Sequence, residues 1–143
     1  MTAAAGGKAA RRQTIDTAEA IRVAAFREAL RTFLRSSEQA ARASGLTPRR
    51  HLLLLMIKGA PDGSERATIG DLTQRLQLAQ STVTELVDRA VRAGLVIRER
   101  SASDGRIGEL RLSREAERRL ARVFESNALE REKLRRLLAA LDD

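Results

Sequence analysis

From residue 14 to residue 43, apolar side chains return every three or four positions: Ala18, Ile21, Ala25, Phe26, Ala29, Leu30, Phe33 and Leu34. That period places them on one stripe of a single long helix, which neither Pro nor Gly interrupts. Thr14 or Thr17 is expected to cap its start, and Ser44-Gly45 to end it, since glycine enters the left-handed exit conformation freely. Thr47-Pro48 restarts helix, with Thr as cap and Pro in the first turn, where its missing N–H is harmless. The run Leu52 to Ile57 is apolar on every side, which predicts a helix in the middle of the domain. Pro61-Asp62-Gly63 then marks a loop over Gly59 to Glu65.

The segment Thr68 to Ser113 changes rhythm twice. Thr68, with Asp71 three residues on, reads as a capped start to a short helix whose Leu72 and Leu76 face inward. Leu78 falls in a turn. Gln80 to Ala93 is the next helix, with Val83, Leu86, Val87, Ala90 and Val91 inward and Gly94 as its stop. Leu95 to Arg98 reads as strand, Ser101 to Gly105 as turn, and Glu109 to Leu112 as the return strand. Short helix, turn, longer helix and hairpin make a winged helix-turn-helix, a shape that fits a DNA major groove and reaches the adjoining backbone. Arg114 to Leu141 is helical again, with Leu120, Val123, Phe124, Leu129, Leu134, Leu137, Leu138 and Leu141 as its apolar members and a break at Asn127. The predicted fold class is therefore mainly α with a small β wing.

Composition narrows the function. The chain has 143 residues, 43% of them hydrophobic but only 2% aromatic, so Leu, Val, Ile and Ala must fill the core. With no cysteine, disulfides and thiolate metal sites are excluded, and a single histidine without a carboxylate cluster makes no metal site. No phosphate-binding glycine loop and no nucleophile–base pair beyond that one histidine are present, so neither an enzyme nor a cofactor is expected. Residues 1–13 are small and polar to basic, which predicts a flexible basic tail. No apolar run approaches the ~20 residues that span a bilayer, and no signal-peptide core follows the first charges, so cytoplasmic residence is expected. The net charge of +8 suits a polyanionic partner, yet residues 66–111 hold eight basic and six acidic side chains, so the charge supports DNA binding without proving it.

In a helix-turn-helix the second helix enters the groove N-terminus first, which makes Gln80, Ser81, Thr82, Thr84 and Glu85 the candidate DNA-contacting residues. Arg98 and Arg100 flank the hairpin and are candidates for phosphate; Arg106 lies at its tip, where a guanidinium can enter a narrow minor groove. Arg22 stands in the middle of the first helix's apolar stripe, and a charge there needs an anion. Two readings stay open: a ligand carboxylate or phenolate, or a salt bridge to an acid such as Glu117 or Glu125. His51 likewise either hydrogen-bonds an effector or is a satisfied histidine at the core's rim.

Six short motifs then fall in register. Leu46-Thr47-Pro48, Ile69-Gly70-Asp71-Leu72, Ser81-Thr82-Val83-Thr84, Leu86-Val87-Asp88-Arg89, Gly94-Leu95-Val96 and Asp104-Gly105-Arg106 have the order and spacing of MarR-type transcriptional regulators. The chain resembles that family over roughly residues 15–141. The resemblance implies a homodimeric repressor on a pseudo-palindromic operator in double-stranded DNA, with release by a small aromatic or anionic effector. It also implies a winged helix-turn-helix lobe over residues 46–113, with residues 14–45 and 114–143 interlocking between subunits. Ile21, Phe26, Leu30, Leu134, Leu137, Leu138 and Leu141 would carry that dimer contact. Asp104 would hold Arg106, Asp88 and Arg89 would form stabilising ion pairs, and Arg22 and His51 would be the effector candidates. The sequence departs from the family at Ala79, where a capping Ser is usual, at Gly105, where an Arg is usual, and at Ala116, in place of a common Gly. The alternative reading is a winged-helix module without an effector, acting constitutively or through protein contacts.

Overall fold

The computed structural model describes residues 13–101, 105 and 108–142. The elements are α1 (Thr17–Ala43), α2 (Pro48–Lys58), α3 (Ile69–Leu76), α4 (Gln80–Arg92), β1 (Val96–Arg100), β2 (Gly108–Leu112), α5 (Arg114–Ser126) and α6 (Ala128–Leu141). The chain divides into two compact units, one over Ser37–Asn127 and one made of Met1–Ser36 with Ala128–Asp143.

The Ser37–Asn127 unit holds every buried apolar residue of the described chain. Leu53, Leu54 and Ile57 of α2, Leu72 of α3, Val83 and Val87 of α4, and Leu95 are all at 0% exposure. α2 packs on α3, α4, α5 and β2, so it is the central helix of the unit. Its outer side is a correction to the sequence reading: Leu52 and Leu55 remain 40% and 41% exposed. Residues three apart share a face of a helix, and the neighbours of α2 cover only the opposite one. Local chemistry fixes the helix starts. The Thr47 hydroxyl accepts the Arg50 N–H at 3.2 Å, Thr68 and Asp71 form a reciprocal capping box, and the Ser113 hydroxyl accepts the Ala116 N–H at 3.2 Å.

β1 and β2 pair antiparallel, with Val96 opposite Leu112 and Arg98 opposite Leu110. Ala67 adds a further rung, exchanging two backbone hydrogen bonds with Leu110 at 3.1 and 2.8 Å. This ties the entry of α3 to the hairpin. Gly94 makes the turn into β1 at φ 75°, a conformation other residues adopt at a cost. Gln77 closes α3 in the same left-handed region, at φ 55°, although it carries a Cβ. Beside the hairpin, Glu99 lies between two guanidinium groups, Arg66 and Arg111, the latter 2.6 Å away. The hydrogen bond from Arg66, then that from Arg111, holds the Glu99 carboxyl below the usual carboxylate range.

The second unit differs in kind. α1 begins at Thr17 rather than residue 14, and neither threonine caps it: an Asp16 carboxylate oxygen accepts the Glu19 N–H at 3.3 Å. A carboxylate there also meets the positive end of the helix dipole. None of the described residues of this unit is buried, and α6 buries none of its 14 residues. Ile21 is 65% exposed, Leu129 68% and Leu138 53%. The chain breaks at Asn127 between α5 and α6, as the sequence suggests. Among the described residues, no helix is long and apolar enough to cross a membrane.

Candidate nucleic-acid interface

α4 is the second helix of the helix-turn-helix, and its sequence sorts its faces. Val83, Val87 and Ala90 turn into the core at 0% exposure, which forces the residues between them outward. Gln80, Ser81, Thr84 and Glu85 are exposed, Thr82 is half-buried, and Gln80, Ser81, Thr84, Glu85 and Asp88 line one shallow open depression. Gln80, Ser81, Thr84 and Glu85 can form hydrogen bonds to base edges without disturbing the core, whereas Thr82 is half-buried and the half-buried Asp88 is held by Arg98.

The helix start carries an unfilled position. Ala79 has the extended conformation of an N-cap, φ −62° and ψ 144°, but makes no side-chain hydrogen bond, and the first turn holds no acid. First-turn N–H groups without a side-chain partner favour an anion such as a phosphate. Because the backbone already suits a cap, Ala79→Ser is expected to raise stability by about 1 kcal/mol in chemical denaturation. A loss of stability would show that the turn before α4 has no room for the hydroxyl.

Two of the charged candidates, Arg98 and Glu85, are already engaged. Arg98 pairs with Asp88, and Arg89 pairs with Glu85 at 2.6 Å, one turn apart on the same helix. Arg100 is exposed at the end of β1. Asp104 and Arg106 lie outside the described residues. Arg22 is exposed and pairs within the chain with Glu19 at 2.6 Å. The reason is local: Glu19 is three residues earlier on the same helix and reaches Arg22 without any tertiary contact. Glu117 instead binds Lys58, which also holds Glu65, both at 3.0 Å.

His51 is half-buried on α2, and burial pushes its imidazole below the ordinary histidine value. The unfolded chain therefore binds this proton more readily than the folded one. The stability His51 contributes is present above about pH 6.5 and is lost as pH falls through the folded value. The thermal midpoint should drop more for the native chain than for His51→Gln between about pH 7.5 and about pH 5.5. Equal drops would mean that other groups govern the change.

Two groups of residues that position this site escaped the sequence reading. Arg75 of α3 donates to the Met56 carbonyl at 2.6 Å and to the Gly59 carbonyl at 3.2 Å, capping the C-terminus of α2 from the helix that precedes α4. Arg66, Glu99 and Arg111 brace the hairpin. Their partners lie 12 to 33 residues away, so no helical or strand spacing announces them. Among the described residues, no cluster of His, Cys, Asp or Glu is suited to a metal ion.

Residues 44–107 match the MarR family, which covers the helix-turn-helix and the first strand of the hairpin. Solved structures share the fold. A transcriptional regulator, Tm0710 from Thermotoga maritima, is 28% identical, with 76% of this chain and 73% of that chain covered and a TM-score of 0.62. AbsC, a MarR family transcriptional regulator from Streptomyces coelicolor, is 20% identical over 90% of this chain and 83% of that one, with a TM-score of 0.62. A mutant MarR from E. coli, solved with operator DNA, is 17% identical over 84% of this chain and 85% of that one, with a TM-score of 0.60. No curated protein matches the sequence.

Proposed function

We propose that this chain, a MarR-type winged helix-turn-helix transcriptional regulator, acts as a homodimeric repressor that occupies a pseudo-palindromic operator. The observation that carries this reading is the polar face of α4. Gln80, Ser81, Thr84 and Glu85 stand exposed while the opposite face of the same helix is fully buried. The first turn of such a helix enters the major groove, and two copies related by a dyad read two half-sites one helical turn apart. The E. coli MarR relative was solved with operator DNA, which supports the same use here. Apolar residues left uncovered on α1 and α6 support pairing of two copies through these helices. Arg106, held by Asp104, is assigned to the minor groove on the strength of the family motif, with Arg100 on nearby phosphate.

The test is a titration of the full chain against duplex DNA from upstream of its own coding region, at several salt concentrations. Tight binding to that duplex, with affinity falling linearly in log salt, supports the reading; equal and weak binding to every duplex overturns it. Release by a small aromatic or anionic effector is the finer part of the proposal, with Arg22 and His51 as its residues. One observation favours the reading without an effector: Arg22 already has Glu19 as its counter-charge and demands no further anion. Adding phenolic acids to the protein–operator complex decides between them. Dissociation by such an acid, abolished in Arg22→Ala, supports the effector; indifference to all of them supports constitutive binding.

A further inference from the structure

The face that α4 offers has an unusual donor and acceptor content. Gln80, Ser81 and Thr84 both donate and accept, whereas Glu85 and Asp88 only accept, and none of the five lining residues is a cation. A carboxylate facing DNA is repelled by phosphates unless it is neutralised by a neighbour or meets a donor on a base. Asp88 is committed to Arg98 of β1. Glu85 is different. Its partner Arg89 is on the same helix and donates to one carboxylate oxygen at 2.6 Å, which steadies the exposed side chain and leaves its second oxygen to meet a further donor. Glu85 also points directly away from the core defined by Val83, Val87 and Ala90.

The major groove offers a carboxylate few partners. Guanine presents only acceptors and thymine an acceptor with a methyl group. Adenine places its acceptor N7 beside its amino group, and cytosine presents its amino donor alone. An acceptor-only side chain therefore matches cytosine. We propose that Glu85 is a specificity-determining residue that selects a cytosine in each half-site, with Arg89 as the positioning residue that neutralises the carboxylate and keeps it extended. This rests on the reading of α4 as the DNA-contacting helix, and names one base that the helix requires.

Selection of bound sites from a random duplex library, with the native full-length chain and with Glu85→Ala and Glu85→Gln, tests it. The native chain should enrich cytosine at one position of each half-site. Glu85→Ala should lose preference there alone, by roughly five- to a hundredfold in relative affinity for the C·G pair, and keep the remainder of the site. Glu85→Gln should move the preference at that position towards adenine, which an amide matches with one donor and one acceptor. Glu85 is exposed, so both variants should keep the native thermal midpoint. If Glu85→Ala bound every duplex more tightly with an unchanged base profile, Glu85 would be only a repulsive charge and the inference would fall. If the native chain enriched no sequence at all, the DNA-reading proposal itself would fall and this inference with it. The two failures are therefore distinguishable.

Discussion

Leu138→Glu should split the proposed homodimer into monomers and weaken the proposed operator binding by a hundredfold or more, while leaving the Ser37–Asn127 unit as stable as before. α6 is a 14-residue helix with no buried residue. A helix of that length is marginal alone in water, so something must cover its apolar side. Leu138 is 53% exposed within one chain and lies outside the buried core of the Ser37–Asn127 unit, so Glu there leaves that core intact. Across a dimer seam the same change places two charges in an apolar contact, where a buried unpaired charge is costly. The loss in operator binding follows from linkage. Two joined half-site readers gain about 10²–10⁴ in avidity over separate ones, and a monomer forfeits that gain. Light scattering gives the mass and fluorescence anisotropy the affinity. An unchanged dimer with unchanged binding would mean that α6 is not the seam.

Leu53→Ala is expected to lower stability by about 2–5 kcal/mol, a large share of the ~5–15 kcal/mol typical of a domain. Leu53 is fully buried on α2, the helix on which α3, α4, α5 and β2 all converge. Truncation leaves a cavity at that meeting point, and few other residues can close it. Because α3 and β2 share this support, operator binding should fail at temperatures where the native chain still binds. Leu53→Met, which roughly conserves volume, should cost less than about 1.5 kcal/mol. Urea denaturation with an unchanged m-value checks both. A small loss for Ala would show that α2 relaxes into the space.

The parts of the site legible in the sequence were those set by neighbours a few residues apart. The Thr68–Asp71 capping box, the Gly94 stop and the outward position of Gln80, Ser81, Thr84 and Glu85 all follow from spacing along α3 and α4. The Arg22–Glu19 pair is equally local, since three residues of helix bring the two side chains together. The end of α3 at Gln77 carries no glycine to mark its left-handed turn, which the Gln77 N–H closes by donating to the Thr73 carbonyl.

Periodicity and caps by themselves determined the order of the helices and the hairpin, the inward residues Leu72, Val83, Val87 and Ala90 of α3 and α4, and the polar tip that α4 displays. They did so because hydrogen bonds and side-chain directions repeat every two or three to four residues. Which side of α2 is left bare, which guanidinium closes its last turn, and how Arg66, Glu99 and Arg111 meet beside the wing were decided only when the chain closed on itself. Those contacts join residues far apart in the chain, and no local pattern records which distant charge will arrive at a given carbonyl or carboxylate.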